Sequence, residues 1–408
     1  MDVPSWVWAL TIAGIVGLLA FDFVFHVRKA HIPTLREAAI WSALYVGIAL
    51  LFGVGVLVFG GGTAGGEYFA GYITEKALSV DNLFVFLIIM ASFKVPREDQ
   101  QKVLLFGIVF ALIARTGFIF LGAALINQFA WVFYLFGLIL ILTAGNMLKG
   151  HSGGDEHDES ENFIIRLARR FLKTSEHYDG DKLFTIEDGK RVLTPMLLVM
   201  VAIGGTDILF ALDSIPAIFG LTTDTFIVFT ATAFSLLGLR QLFFLIDGLL
   251  DRLIYLSYGL AAILGFIGVK LVLHALHENN VPFINGGEEV DVTEISTGVS
   301  LSVILGVLVV TVAASLVSPK GKAQTAIGNA RRHATAYLDL GYTVDLAERE
   351  RVFAKLVAEG EQIKTMAPRY RDLIRDEPKL LALIEEARAR HDEVTPDSQD
   401  VSVPGTLR

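Results

Sequence analysis

Apolar runs of about 20 residues, the length an α-helix needs to cross a bilayer, recur through residues 1–318 and then stop. They predict nine transmembrane helices: Ser5–Phe25, Ala38–Phe59, Glu67–Phe93, Val103–Leu125, Ala130–Leu148, Leu193–Phe219, Phe226–Ile246, Leu253–His274 and Gly298–Val317. The fold class is therefore all-α, a polytopic membrane protein with a transmembrane domain over 1–318. The first run has no basic segment before it, and Arg28 and Lys29 follow it. It reads as a retained span and not as a cleaved signal peptide.

Two polar segments interrupt or follow the runs. Residues 149–192 form a loop that opens on HSGGDEHDESE, with His151 and His157. This stretch reads as a solvated linker in preference to a regulatory metal site. Phe163–Leu172 has the pattern of a short basic amphipathic helix lying on an anionic leaflet. The tail, 319–408, shows helical patterns near 345–366 and 369–391 and no recognisable chemistry.

Composition agrees with the runs: 53% of the 408 residues are hydrophobic and 19% charged, with a mean hydropathy of +0.57. There is no cysteine, which excludes disulfides, thiolate metal sites and thiol catalysis. The position of the charges says more than their net value of −9. Loops after spans one, three, five, seven and nine carry Lys and Arg, whereas those after spans two, four, six and eight carry none. The positive-inside rule then places the N-terminus outside, and 149–192 and 319–408 in the cytoplasm. For a bacterial chain this means the inner membrane.

Spans three to five and six to eight read as two copies of one three-helix unit. Glu75 and Asp81 match Asp207 and Asp213 at a constant offset, and Gly137-Leu138 matches Gly259-Leu260. With three spans per unit the second copy is inverted, an architecture that recurs in secondary transporters with a midplane site.

The matched residues are acids inside apolar runs, where an unpaired charge costs at least a few kcal/mol. Something must pair them. One reading is a cation or proton site of Glu75, Asp81, Asn82, Asp207 and Asp213, with Ser79, Ser214 and Asp22 as additional candidates. The other is ion pairing with Arg115, Arg240 or Lys76, which would only hold the bundle together. Both arginines also fit a gating role. Gly204-Gly205 and Pro216 suggest a break in span six, and Pro216 frees the Leu212 carbonyl beside Asp213. Asp22 has His26 one turn later and reads as a structural pair. The outer loop HENNVPFINGGEEVDVTE is acidic and either concentrates cations or is simply solvated.

The strings GYITEKALSVDNLFVF, FKVPREDQQKVLLFGIVFALIAR, TDILFALDSIPAIFGLTTDTFIVFT and LLGLRQLFFLIDGLLDRLIYLSYGLAAILGFIGVKLVL resemble the TerC/Alx family of integral membrane proteins. The resemblance covers roughly residues 15–290 and leaves the tail outside. It implies metal homeostasis, with manganese efflux and a link to tellurium resistance. It implies that the family's intramembrane acids fall on Glu75, Asp81, Asp207 and Asp213, with Asn82 beside them. This chain departs from the pattern at Gly204, where relatives usually carry Glu, and at Thr232, where Asn is frequent.

The expectation is a transporter that exports Mn²⁺, with Ca²⁺ as second candidate, because all-oxygen donors suit such ions. Protons are the expected exchange partner, since metal binding requires deprotonated acids. No prosthetic group, nucleic-acid partner or enzymatic constellation is expected. A scaffold of a metal or tellurite stress-resistance complex, without transport, is the alternative, and it would not need the acid quartet.

Overall fold

The structure, a computed structural model, describes residues 3–27, 35–93, 95–129, 131–150, 182–187, 190–246, 253–279, 281–282, 284–338, 346–367 and 377–394. They fall into two compact units, Met1–Ile246 with Leu256–Thr311, and Asp247–Tyr255 with Val312–Arg408. Among the described residues, eight helical stretches are long and apolar enough to cross a membrane.

In the first unit, α1 (Ser5–Asp22) runs on into one wider turn, Phe23–Val27. The second helix, α2 (Leu35–Ser92), is two arms joined at Gly61, whose φ of 88° suits glycine. The Tyr68 hydroxyl donates to the Ala49 carbonyl at 3.0 Å. Residues 19 apart in a straight helix would be about 28 Å apart, so the arms fold back on each other. Each arm is long enough to be a span, which is how eight stretches accommodate nine runs. Gly53, against the Tyr68 and Phe69 rings, and Gly65, against Leu57, let the arms approach closely.

Then come α3 (Arg97–Gln128) and α4 (Val132–Gly150). A small hairpin pairs β1 (Phe184–Glu187) antiparallel with β2 (Lys190–Leu193). The expected amphipathic helix Phe163–Leu172, with His151 and His157, lies outside the described residues. Next are α5 (Pro195–Phe219), α6 (Thr225–Leu236), α7 (Leu239–Ile246), α8 (Leu256–His277) and α9 (Thr297–Val317). Asp224 caps α6 by accepting from the Phe226 and Ile227 amides at 3.0 and 3.2 Å.

The expected break in span six is not there. The helix α5 continues through Gly204-Gly205, and Pro216 sits in its last turn, where the residues that follow leave the helix anyway. The break is in span seven, between α6 and α7, where Gly238 takes a φ of 74°.

The interior of the unit is apolar and close-packed. Leu83, Phe86, Ile89 and Met90 of α2 meet Leu104 and Ile108 of α3, Met196, Val199 and Ile203 of α5, and Leu236, Leu239 and Phe243 around the break. The outside is apolar too: Leu51, Phe59, Ile113, Val309 and Val310 are exposed, as residues facing lipid must be. The helices α4 and α8 touch through glycine. A Cβ on Gly137 would come within 2.9 Å of the Gly268 carbonyl oxygen, and one on Gly268 within 3.0 Å of that of Gly137.

The second unit contains α10 (Pro319–Leu338), α11 (Leu346–Lys364) and α12 (Glu377–Val394). Ala330, Ala334, Tyr337, Leu356, Ile363, Leu380 and Ile384 form its core. The Tyr337 hydroxyl lies 2.8 Å from His391 Nδ1, whose ring stacks on Phe353. The helices α11 and α12 answer to the patterns at 345–366 and 369–391; α10 has a polar, alanine-rich sequence that gave no such signal.

Candidate functional site

The polar centre of the first unit is built by three helices. The second arm of α2 supplies Glu75, α3 supplies Arg115 and α5 supplies Asp207, and these side chains are 0–3% exposed. Arg115 donates from Nη1 to Glu75 Oε2 at 2.8 Å and from Nη2 to Asp207 Oδ1 at 3.2 Å. Asn82, two turns beyond Glu75 on α2, sets its amide oxygen 3.2 Å from the same Nη2 and donates to the Leu78 carbonyl at 3.1 Å. One guanidinium thus ties together acids from facing helices.

The tie is incomplete. Glu75 Oε1, Asp207 Oδ2, Ser79 Oγ and Arg115 Nε are buried and have no hydrogen-bond partner among the described residues. Beside them lies a cavity with room for about one water or a bare ion, lined by Ser79, Asn82, Arg115, Asp207 and the side chains of Leu236 and Leu239. Two carboxylates and one guanidinium carry a net charge of −1 when all are ionised. In a low-dielectric interior that imbalance calls for a further proton or cation.

The remaining predicted acids lie elsewhere. Asp213 accepts from the Thr143 hydroxyl of α4 at 2.8 Å and is not among the cavity-lining residues. Six residues along a helix turn a side chain by about 120°, so Asp207 and Asp213 face different neighbours. Asp81 adjoins Asn82 and is partly exposed. Ser214 is buried, and its hydroxyl has no hydrogen-bond partner among the described residues. Among the described residues, no three His, Asp or Glu side chains converge on one metal position.

A model of the integral membrane protein TerC family matches residues 60–323. The chain belongs to the TerC family of integral membrane proteins. It is 59% identical over 394 residues to a membrane protein of Mycobacterium tuberculosis, covering 96% of this chain and 99% of that one. A membrane protein of Myxococcus xanthus is 41% identical over 314 residues, 77% of this chain and 92% of its own. Alx of Escherichia coli, designated a candidate membrane-bound redox modulator, is 38% identical over 303 residues, 72% of this chain and 89% of its own. No solved structure matches the chain.

Within this TerC-family chain the other polar residues find separate partners. Arg240 of α7 does not join the acid cluster. Its Nε and Nη2 donate to Asp22 of α1 at 3.1 and 2.7 Å, and its Nη1 to Gln101 of α3. Gln241 also donates to Asp22, at 2.7 Å. Asp22 is thus held by an arginine 218 positions away, while the side chain of its predicted partner, His26, lies outside the described residues. Lys76 pairs with no acid of the cluster; it donates to the carbonyls of Ser235 and Leu237. Gly204 lies on α5 with the Phe110 ring 3.1 Å from where its Cβ would be, so the ring fills the space a longer side chain would take. Thr143 went unnoticed in the sequence, because a threonine in an apolar run is common and only its contact with Asp213 marks it.

Proposed function

We propose that the protein exports divalent metal ions, Mn²⁺ foremost, in exchange for protons. One observation carries the reading: two buried carboxylates on facing helices share a single guanidinium and keep one free oxygen each. A structural ion pair has no use for the surplus negative charge. A site that alternately holds protons and a metal does. Glu75, Asp207, the Asn82 amide oxygen and the Ser79 hydroxyl are hard oxygen donors of the kind Mn²⁺ and Ca²⁺ take. Arg115 acts as the tethered cation of the metal-free state, and entry of metal displaces it. Asp213 with Thr143, and Asp81, serve as neighbouring stations on the path.

The helix pairings support an inverted repeat. The second arm of α2 packs on α5 and α6, α3 packs on α5 and α6, and α4 packs on α8. Exchanging the two three-span units leaves this scheme unchanged. Orientation with the N-terminus outside and the tail in the cytoplasm, in the bacterial inner membrane, belongs to the same proposal.

The test is Glu75→Gln and Asp207→Asn, singly, in a manganese-sensitive host, with membrane insertion checked and cell manganese measured. Both variants insert normally and fail to lower cell manganese. Full protection by both well-inserted variants defeats the reading and leaves the scaffold alternative, which the compact second unit favours. The redox role in the name of the Escherichia coli relative would have to work here without thiols, since the chain has no cysteine.

A further inference from the structure

The break in span seven is chemically distinctive. The twelve residues of α6 put the break about 18 Å along the span, a little over half of a hydrocarbon core of roughly 30 Å. A helix that ends there leaves its last carbonyls without amide partners, and the helix dipole adds negative potential at the same end. Lipid tails offer such carbonyls no donor. Two of the freed oxygens are nevertheless satisfied: Lys76 Nζ donates to Ser235 O at 2.9 Å and to Leu237 O at 3.3 Å.

Lys76 is an unusual donor for this position. Its partners among the described residues are these two carbonyls, and neither is a carboxylate. A buried ammonium without a counter-ion is expensive, and a simple hydrogen-bond donor would cap the helix at lower cost. What an ammonium offers beyond a donor is a compact monovalent charge. Half-helix carbonyl ends inside a membrane are where secondary transporters seat a coupling cation. The break also borders the acid cavity, through Leu236 and Leu239 on either side of it. Gly238 takes its left-handed conformation against Tyr45, whose Cβ would lie 2.7 Å and whose ring 3.0 Å from an added Cβ. The carbonyls are therefore presented by a fixed backbone.

We infer that the α6–α7 break is a monovalent-cation cradle made of main-chain carbonyls, and that the Lys76 ammonium is its permanent occupant, seated where a free Na⁺ or K⁺ would otherwise bind. The inference rests on and deepens the exchange proposed above, because it closes this site to Na⁺ and K⁺ as coupling ions. Its test reads fold stability and not transport, so it can fail while the metal-export reading stands, and the reverse.

The experiment compares the full chain with Lys76→Ala and Lys76→Met in lipid nanodiscs. Melting temperatures are measured in NaCl, KCl and choline chloride at equal ionic strength. The parent melts at the same temperature in all three salts. Lys76→Ala opens the cradle, so its melting temperature falls in choline and recovers by roughly 5 °C, saturably, in Na⁺ or K⁺. Lys76→Met fills the space without charge and melts low in every salt. The inference is overturned if Lys76→Ala responds alike to all three salts or to none, or if Lys76→Met is as stable as the parent. Failure of Lys76→Ala to fold in any of the salts overturns it as well, because an open cradle would be refilled by the inorganic ion.

Discussion

Two arginines lie in the interior of the membrane unit, and they are housed differently. Arg240 faces one carboxylate with two of its nitrogens, and the amides of Gln101 and Gln241 complete the cluster. Every nitrogen of the guanidinium has a partner there. Arg115 faces two carboxylates, contacts each through a single oxygen, and leaves its own Nε unpaired beside a cavity. The same side chain thus makes a closed cluster in one place and an open one in the other. A closed cluster fixes helices in register; an open cluster retains capacity for one more charge.

The contrast is breakable, beginning with its largest effect. Arg240→Met strands Asp22 in the interior and lowers stability by about 3–5 kcal/mol, whereas Asp22→Leu combined with Arg240→Met recovers most of the loss. Denaturation in detergent measures both. If the single and double variants are equally unstable, the closed cluster is not an ion-pair lock.

Next comes the crossed comparison of two amides. Asp22→Asn lowers the melting temperature and leaves export per folded molecule unchanged. Asp207→Asn melts near the parent and loses export by on the order of tenfold or more. The reverse pattern would exchange the roles of the two clusters.

Smaller still is Thr143→Val, which removes one hydrogen bond, about 1 kcal/mol, from Asp213. Apparent metal affinity in proteoliposomes shifts by about fivefold, with little change in melting. No shift would detach Asp213 from the path that the open cluster serves.

The smallest effect lies outside the membrane. The hydrogen bond with the His274 ring, at 2.7 Å, holds the Glu294 carboxyl below the usual glutamate range. A depressed carboxyl stabilises above its unfolded-state range, and the contribution disappears as pH falls through the lowered value. Glu294→Gln therefore melts roughly one degree below the parent at neutral pH, since the pair is exposed. The two coincide in acid, as melting curves across that range will show.

What was legible in the sequence follows the strength of the physical constraint. Apolar runs announce spans because lipid permits nothing else, and even the hairpin in α2 is foreshadowed by Gly60-Gly61-Gly62. Glu75 and Asp207 stood out because an acid in such a run is costly. Their partner could not be singled out: Arg115, Arg240 and Lys76 were equal on paper, and only packing assigns Arg115 to the acids, Arg240 to Asp22 and Lys76 to carbonyls. The break was misplaced for a similar reason. Gly204-Gly205 and Pro216 are helix breakers by propensity, yet Gly204 is braced by Phe110 and Pro216 falls in a final turn. Gly238 is one glycine among leucines and carries no local warning. Propensity weighs backbone cost residue by residue, whereas the location of a break depends on what waits to receive the freed carbonyls.

The glycine contact between α4 and α8 has a bearing on how such a molecule moves. Where side chains separate two helices, they can change rotamer and let one helix slide past the other. Gly137 and Gly268 provide no such cushion, and main chain rests almost directly on main chain. Sliding would drive carbonyl into backbone, so the pair travels as a single beam. In the exchange proposed above, α4 and α8 therefore act as one body relative to the helices that carry Glu75, Arg115 and Asp207.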